Sequence, residues 1–320
     1  MKRIAVLTSG GDAPGMNAAI RAVVRAANFH HIEVYGVSRG YSGLIEDDLQ
    51  MLTRRSVSDT IQRGGTILKT ARSTEFTTYE GRKKAAETLA ERGIEGLVVV
   101  GGDGSFRGAN DLYHDFGIKV VGIPGTIDND LGYTDRTIGF DTAVNTALSA
   151  INNLRDTMSS HDRVVIVQVM GRKSGEIALH AGLAGGAEVI LVPEKPVDLD
   201  EVASVLNRGK AVGKTSGIVV LAEGAMPLDD VMRELKERTG LSFRSTVLGY
   251  IQRGGSPTME DRVLASRLGV RAVELLLKNK GGKVVGIRGG KVIDLPIEEA
   301  LAIPPRFDEE LFEQAKMLSL

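Results

Sequence analysis

Short apolar runs alternate with helix-like segments along this chain, and this alternation limits its fold more tightly than any other feature. Arg3–Thr8, Gly96–Val100, Lys119–Ile123, Val164–Val169 and Ile218–Leu221 are apolar at successive positions. Strands that alternate only on one face do not look like this; strands covered on both faces do. Met16–Asn28, Gly81–Arg92, Ala143–Asp156, Gly175–Gly182 and Asp229–Thr239 read as helices between them. Strand–helix alternation predicts parallel sheets with right-handed crossovers, an α/β class. The runs extend from residue 3 to residue 221, so two such layered units are expected. No Pro/Ser-rich or charged linker marks a boundary.

Composition narrows the function. With 40 basic and 41 acidic side chains the formal charge is -1, which excludes the strong basic field that nucleic-acid binding usually needs. There are no cysteines, so disulfides, thiolate metal sites, iron–sulfur clusters and a cysteine nucleophile are excluded. Lys2 and Arg3 precede only four apolar residues, Ile4 to Leu7. No segment has the length of a secretory apolar region or a membrane span, and a soluble, cytoplasmic protein is expected. The 39 glycines are about 12% of the chain, against roughly 7% in ordinary proteins. They stand in pairs at the ends of apolar runs, where a flexible linker would not place them. One pentapeptide occurs twice, Ile61-Gln62-Arg63-Gly64-Gly65 and Ile251-Gln252-Arg253-Gly254-Gly255. It reads either as two similar half-structures or as two similar turn requirements.

Ligands of open parallel sheets bind at the C-terminal ends of the strands. After the first run comes Gly10-Gly11-Asp12-Ala13-Pro14-Gly15, neither a P-loop nor a dinucleotide fingerprint. Its bare backbone at a helix start suits a phosphate, or makes a tight turn. After the second comes Gly101-Gly102-Asp103-Gly104-Ser105. Asp103 there reads as a holder of phosphate-bridging Mg²⁺ or as a helix cap. After the third comes Pro124-Gly125-Thr126-Ile127-Asp128-Asn129-Asp130. Phosphorylation of a hydroxyl needs one carboxylate to take the proton and another for metal or orientation; an Asx-rich turn is the alternative. Arg163, Met170-Gly171-Arg172, Glu223, Arg244 and Arg253 lie at the fourth and fifth runs and beyond. Arginines converging on one mouth would clamp a sugar phosphate, with the glutamate on a sugar hydroxyl; taken singly they are solvated charges.

These residues resemble one family, the bacterial ATP-dependent 6-phosphofructokinases. The resemblance is carried, in family order, by TSGGDAPGMNAAIR from Thr8, TARSTEF from Thr70, VGGDGS from Val100, PGTIDND from Pro124, MGRKSG from Met170, AEG from Ala222 and LGYIQRGGSPT from Leu248. It covers nearly the whole chain. It implies two Rossmann-like three-layer α/β/α domains with mainly parallel sheets and the active site in the cleft between them. An ATP-binding domain of residues 1–138 plus 256–304 and a fructose-6-phosphate-binding domain of 139–255 plus 305–320 are expected on this basis.

The resemblance implies transfer of the ATP γ-phosphoryl to the 1-hydroxyl of fructose 6-phosphate, a step of glycolysis, with Mg²⁺. Gly11, Tyr41, Arg72, Ser73, Gly102, Asp103, Gly104, Ser105 and Gly108 would serve ATP, with Asp103 near the metal. Asp128 would be the general base, Thr126 and Asp130 its companions, and Arg172 the stabiliser of the moving phosphoryl group. Ile127, Met170, Gly171, Glu223, Tyr250, Ile251, Gln252 and Arg253 would meet the sugar phosphate. Arg163 and Arg244 would reach it from a neighbouring subunit of a homotetramer. An effector site for ADP activation and phosphoenolpyruvate inhibition would use Arg21, Arg25, Arg54, Asp59, Arg155, Gly186, Glu188 and Lys214; a solvated helix face is the plain reading of Arg21 and Arg25.

Pyrophosphate-using relatives typically carry Asp at position 104 and Lys at position 125, where this chain has glycines. An aspartate at 104 would crowd and repel the α-phosphate, so Gly104 and Gly125 point to ATP. Two departures stand out: Tyr250 replaces the usual His, removing a group that titrates near neutrality, and Val212 replaces an effector arginine. An NAD- or lipid-kinase would share the Gly-Gly-Asp-Gly motif but has no need of the Thr-Ile-Asp-Asn-Asp loop and its arginines. A non-catalytic nucleotide-binding subunit would lack Asp128, Asp103 or Arg172, and all three are present.

Overall fold

The computed structural model describes residues 1–161, 163–214 and 216–319; Asp162, Thr215 and Leu320, which fall in the expected second domain, lie outside the described residues. From the N-terminus, β1 (Arg3–Thr8) leads to α1 (Met16–Phe29), followed by β2 (Glu33–Val37), α2 (Gly40–Ile45) and β3 (Leu49–Leu52). Then come α3 (Tyr79–Glu91), β4 (Gly96–Gly101), α4 (Asp103–Phe116), β5 (Lys119–Thr126) and the short β6 (Ile138–Gly139). The middle of the chain runs α5 (Phe140–Ser159), β7 (Val164–Val169), α6 (Glu176–Ala184), β8 (Val189–Leu191), α7 (Leu199–Ala211), β9 (Gly217–Ala222), α8 (Leu228–Thr239) and β10 (Phe243–Val247). It ends with α9 (Met259–Leu277), β11 (Lys283–Arg288), β12 (Lys291–Pro296), α10 (Ile297–Ala302) and α11 (Glu309–Leu318).

The chain forms two compact units. The first comprises Met1–Thr126, Leu131–Asp141 and Arg253–Pro305; the second comprises Ile127–Asp130, Thr142–Gln252 and Arg306–Leu320. The first change of unit thus comes at Ile127, and the segment of four residues that holds Asp128 groups with the second unit rather than the first.

Among the described residues the first unit's sheet runs β12-β11-β5-β4-β1-β2-β3, with β6 pairing beside β5. The β2–β1–β4–β5–β11 core is parallel, and the outer β3 and β12 run antiparallel to their neighbours. Alternate residues of a strand face opposite sides. Ala5, Leu7, Leu97, Val99 and Val120 pack on one side with Phe106 and Leu112 of α4 and Leu89 of α3. Ile4, Val6, Val98, Val100 and Val121 therefore face the other side, and all are fully buried. That side is covered by α1 and α9, which lie against each other and against the strands. α1 presents Met16, Ile20, Val23, Val24 and Ala27 inward, spacings of one helix face.

The second unit repeats the plan with the parallel order β10-β7-β9-β8. Val164, Ile166, Val219 and Leu221 pack with Leu199, Val202 and Leu206 of α7 and Val231 and Leu235 of α8. Val165, Val167, Ile218 and Val220 take the opposite face and are buried to the same degree. Fully burying each such side chain contributes about 1.5–3 kcal/mol, which makes the central strands the rigid support for the loops at their ends.

The repeated pentapeptide resolves as a contact. A Cβ on Gly64 would fall on the Gly255 carbonyl oxygen, so the two backbones approach more closely than a side chain allows. Gly65 and Gly255 both adopt positive φ, +64° and +91°, as two similar turns require. Ser256 Oγ, just beyond, donates to the Gln62 carbonyl at 2.8 Å.

Candidate active site

In the first unit the strand ends expose backbone. β4 ends at Gly101, where a Cβ would stand 2.6 Å from both Ser105 Oγ and the Ser9 carbonyl; only glycine permits this approach. Gly102 caps α4, and the first intrahelical bond runs from the Phe106 N–H to the Gly102 carbonyl. The N–H groups of Asp103, Gly104 and Ser105 therefore have no partner within the helix, and the helix dipole makes this end positive. Asp103 is exposed, with Arg107 3.9 Å from its carboxylate. A Cβ at Gly104 would meet nothing within 4 Å. Space, positive dipole and unused N–H groups together suit a phosphate chain.

The glycine turn after β1 is tied to this end. Thr70 Oγ1 donates to the Gly10 carbonyl at 2.7 Å, and Thr8 Oγ1 donates to the Lys69 carbonyl at 2.8 Å. These bonds bring the segment carrying Arg72 and Ser73 to the turn; Arg72 is exposed, and Ser73 Oγ accepts the Phe76 N–H. Asn17 anchors the same segment. It is 1% exposed, its Nδ2 donates to the carbonyls of Arg63 and Gly64, and its Oδ1 accepts the Ile67 N–H at 2.7 Å. Sequence reading missed Asn17, although a carboxamide on the apolar face of α1 was a visible anomaly. A Cβ on Gly11 would strike the Arg253 guanidinium, which also lies 4.0 Å from Asp12. Arg253 thus stands over the first glycine turn.

Tyr41 and Gly108 lie under the start of α4. Tyr41 is buried, its hydroxyl donates to the Ser105 carbonyl at 2.6 Å, and its ring stacks on Phe76 with centroids 3.8 Å apart. Burial pushes its phenol well above the ordinary value, with nearby Asp111 adding to the rise. Gly108 leaves room for this stack, since a Cβ there would lie 3.0 Å from Phe76 and 3.4 Å from Tyr41. Both residues form the floor beneath the first turn of α4. Gly125 likewise has a packing reason, as its Cβ would lie 2.9 Å from Val100 and 3.2 Å from Met16. A side chain at 125 would need Val100 and Met16 to shift, whereas Gly104 stands in open space.

In the second unit, side chains converge at the C-terminal ends of β7 and β9. The parallel register pairs Val169 with Ala222, so Met170 and Glu223 emerge side by side. Glu223 Oε1 accepts the Arg172 N–H at 3.0 Å, and Arg172 Nε lies 3.8 Å from Asp128 Oδ2. Asp128 is only 4% exposed. Ile127 beside it is buried and acts as an apolar anchor, while Asp130 is partly buried. Thr126, the last residue of β5, belongs to the first unit, where its carbonyl accepts Thr137 Oγ1 at 2.6 Å. The backbone near Asp128 is strained: Asn129 and Arg172 are non-glycine residues at φ 50° and 53°, a conformation that costs free energy and clusters at functional sites. Gly171, at φ +136°, would place a Cβ on the Ser174 carbonyl, and Gly224 would place one on the Arg172 carbonyl.

Arg163 and Arg244, expected to serve a neighbouring subunit, do not join this mouth. Arg163 precedes β7 and Arg244 pairs with Val165 on β10, so both lie at the opposite end of the sheet, about 20 Å from Met170 at a strand rise of about 3.3 Å per residue. Gln252 is fully buried; its Oε1 accepts the Met170 N–H at 3.2 Å and its Nε2 donates to the Gly249 carbonyl. Its side chain holds the backbone of Met170 in place. Tyr250 and Ile251 are open, 82% and 67% exposed.

The effector candidates fall into two groups. In the second unit, Arg155 Nη2 donates to the Gly185 and Gly186 carbonyls at 2.6 Å. Glu188, 7% exposed, pairs with Lys214, sits 3.8 Å from Arg155 and accepts the Ile218 N–H. Val212 caps α7 and is 85% exposed. In the first unit, Arg21 and Arg25 share a face of α1; burial lowers the Arg21 pKa, and Arg25 lowers it further. Arg54 and Asp59 are exposed, the latter at φ 55°.

Residues 3–276 match the phosphofructokinase family. The ATP-dependent 6-phosphofructokinase of Clostridium tetani is 59% identical over 319 residues, and that of Clostridioides difficile 60% identical over 320, each match covering all of both chains. Among solved structures, phosphofructokinase from Saccharomyces cerevisiae is 36% identical with a TM-score of 0.91, covering all of this chain and 48% of the yeast chain. The pyrophosphate-dependent enzyme of Marinobacter aquaeolei shares the fold, with a TM-score of 0.86 at 24% identity over 97% of this chain and 86% of its own. This chain belongs to the phosphofructokinase family.

Proposed function

We propose that this chain transfers the γ-phosphoryl group of ATP to the 1-hydroxyl of fructose 6-phosphate, giving fructose 1,6-bisphosphate and ADP. The observation that carries the reading is Asp128, a buried carboxylate with the Arg172 guanidinium 3.8 Å away at the strand ends of the second unit. Asp128 takes the proton from the sugar hydroxyl as its oxygen attacks the γ-phosphorus, and the bond to the β-phosphate oxygen breaks as ADP leaves. Arg172 balances the charge on the moving group. Rate acceleration by this route comes from positioning and charge stabilisation, with no covalent intermediate. Thr126 and Asp130 orient the hydroxyl. Met170, Glu223 and Arg253 meet the sugar and its phosphate, and Gly11 keeps space for the transferring group.

ATP phosphates are read as lying on the N–H groups of Gly102 to Ser105, with Arg72 and Ser73 alongside. Gly104 leaves the space that the α-phosphate needs, which supports ATP over pyrophosphate as donor. Asp103 suits Mg²⁺: it is exposed at the phosphate end of α4. Among the described residues no cluster of three His, Asp or Glu side chains forms a protein cage, and Mg²⁺ that is carried mainly by phosphates and water requires none. Bound there, the ion would neutralise charge on the phosphates.

Arg163 and Arg244 lie too far along their strands to serve the mouth of their own subunit. We assign them to the sugar 6-phosphate in a neighbouring copy, within a homotetramer. Arg155, Gly186, Glu188 and Lys214, with Arg21, Arg25, Arg54 and Asp59, are assigned to an effector site for ADP and phosphoenolpyruvate. Val212 contributes no charge there, so phosphoenolpyruvate inhibition is expected to be weak and to tighten in Val212→Arg. A cytoplasmic place in glycolysis accords with this chemistry; among the described residues no helix is long and apolar enough to cross a membrane.

The reading is tested by supplying purified protein with fructose 6-phosphate, Mg²⁺ and either ATP or pyrophosphate. Turnover with ATP alone supports it. Turnover with pyrophosphate overturns the Gly104 argument, and no turnover with either donor overturns the activity.

A further inference from the structure

Behind the proposed base lies a buried carboxylate that the mechanism above does not use. Glu176 opens α6 and is 7% exposed. Its Oε2 accepts a long hydrogen bond, 3.4 Å, from Asn129 Nδ2. Asn129 directly follows Asp128 and holds φ at 50°, a left-handed conformation that Asn adopts more readily than most residues yet still at a cost. A strained residue persists only when its surroundings over-determine it. Here the surroundings include Glu176, and the segment 127–130 that carries Asp128 is short enough for one turned residue to set its direction.

Glu176 is itself held in place. Its N–H faces Ser174 Oγ at 3.4 Å, and His180, one turn along α6, has Nδ1 3.9 Å from the Glu176 carboxylate. Glu194 fixes the entry to α6 by accepting the Gly175 N–H at 2.8 Å. The charged and polar groups acting on the carboxylate come from four segments: His180 on its own helix, Asn129 from the base segment, Glu194 after β8 and Asp308 before α11. Burial raises its pKa, His180 and Asn129 pull it down, and Glu194 and Asp308 raise it. A fully solvated role does not explain a carboxylate in this position.

We propose that Glu176 is a positioning residue: through Asn129 it locks the left-handed turn that aims the Asp128 carboxylate at the attacking hydroxyl. The inference rests on the reading of Asp128 as the base. It predicts a bypass. Glycine reaches positive φ at no steric cost, so Asn129→Gly should make the turn independent of Glu176.

The experiment compares Glu176→Ala, Glu176→Gln, Asn129→Gly and the double variant Glu176→Ala/Asn129→Gly with the parent protein. Steady-state assays use ATP and fructose 6-phosphate, and crystal structures of the same proteins read the φ angle of residue 129 without reference to turnover. The expected results are a fall in kcat of about 30-fold in Glu176→Ala with KM for ATP within about twofold, and most of that kcat restored in Glu176→Gln, which keeps an amide oxygen for Asn129. The double variant should match Asn129→Gly within about twofold, and residue 129 should leave the left-handed region in Glu176→Ala. Unchanged φ at residue 129 in Glu176→Ala overturns the inference, as does an equal loss on both backgrounds. If the parent protein has no activity while φ moves as expected, the base assignment fails and the tether stands.

Discussion

On the function proposed above, the two units prepare for ligand in opposite ways. In the first, the glycines of the β1 and β4 turns work by lacking side chains: Gly101 admits a close backbone approach, Gly104 leaves open space, and the donors are N–H groups of a helix end. In the second, the working groups are side chains, Asp128, Arg172 and Glu223, and the backbone is bent into left-handed geometry to aim them. The difference follows from the ligand. A chain of phosphates is a diffuse anion that backbone dipoles can cradle, whereas a sugar hydroxyl must be met by a proton acceptor in one direction.

Five changes test that contrast, in falling order of effect. Asp128→Ala should lower kcat by about 10³-fold with KM for ATP nearly unchanged, as read by steady-state kinetics. A matching rise in KM for ATP would show that the side-chain group also holds the nucleotide, and the contrast would break. Arg163→Ala should raise KM for fructose 6-phosphate by roughly 10–100-fold, the loss of a charge-assisted hydrogen bond. If sites are shared between subunits as proposed, dissociating and reassembling an equal mixture of Arg163→Ala and Asp128→Ala proteins should restore about a quarter of the parent rate, since one site in four then keeps both groups. No recovery would place Arg163 outside the site.

Gly104→Asp should raise KM for ATP by about tenfold through repulsion of phosphate, with no loss of thermal stability, because the new Cβ meets nothing within 4 Å. Gly125→Ala should do the reverse, lowering Tm while leaving donor choice alone, because it overpacks against Val100. Calorimetry and donor assays on both variants separate the two kinds of glycine. The smallest effect is expected from Tyr250→His. Its imidazolium form would bind the sugar phosphate more tightly, so KM should fall a few-fold as pH drops below about 6.5.

The central strands were legible because burial on both faces writes an unbroken apolar run. β10 and β12, at the sheet edges, were not, since most of their residues are exposed or partly so and one-sided strands lose that signature. The α4 segment was read only as a phosphate loop because glycines at its start mask a helix that begins at Asp103. Site residues at strand ends could be located from the sequence, but not their roles in packing. Tyr41 turns inward to Ser105, Gln252 is closed over by backbone, and Gly125 is filled by Val100 and Met16. Those facts depend on contacts between residues far apart in the chain. The place of Asp128 with the second unit was hidden for the same reason: nothing local distinguishes Thr126 from Ile127.

The strand order of the first unit sets a timetable for synthesis. β5 is flanked by β4 on one side and by β11 on the other, and β11 lies more than 150 residues later. Until the ribosome has released residues 253–305, the edge of β5 that β11 pairs and the apolar faces of β4 and β5 that α9 covers have no native partner. An unpaired strand edge of this kind is where chains adhere to one another. The second unit, almost continuous in sequence, is complete in all but its last helix by then. A truncation after residue 252 should therefore leave an aggregating product, and the holding of nascent chains by a chaperone would matter most during the passage from β6 to β11.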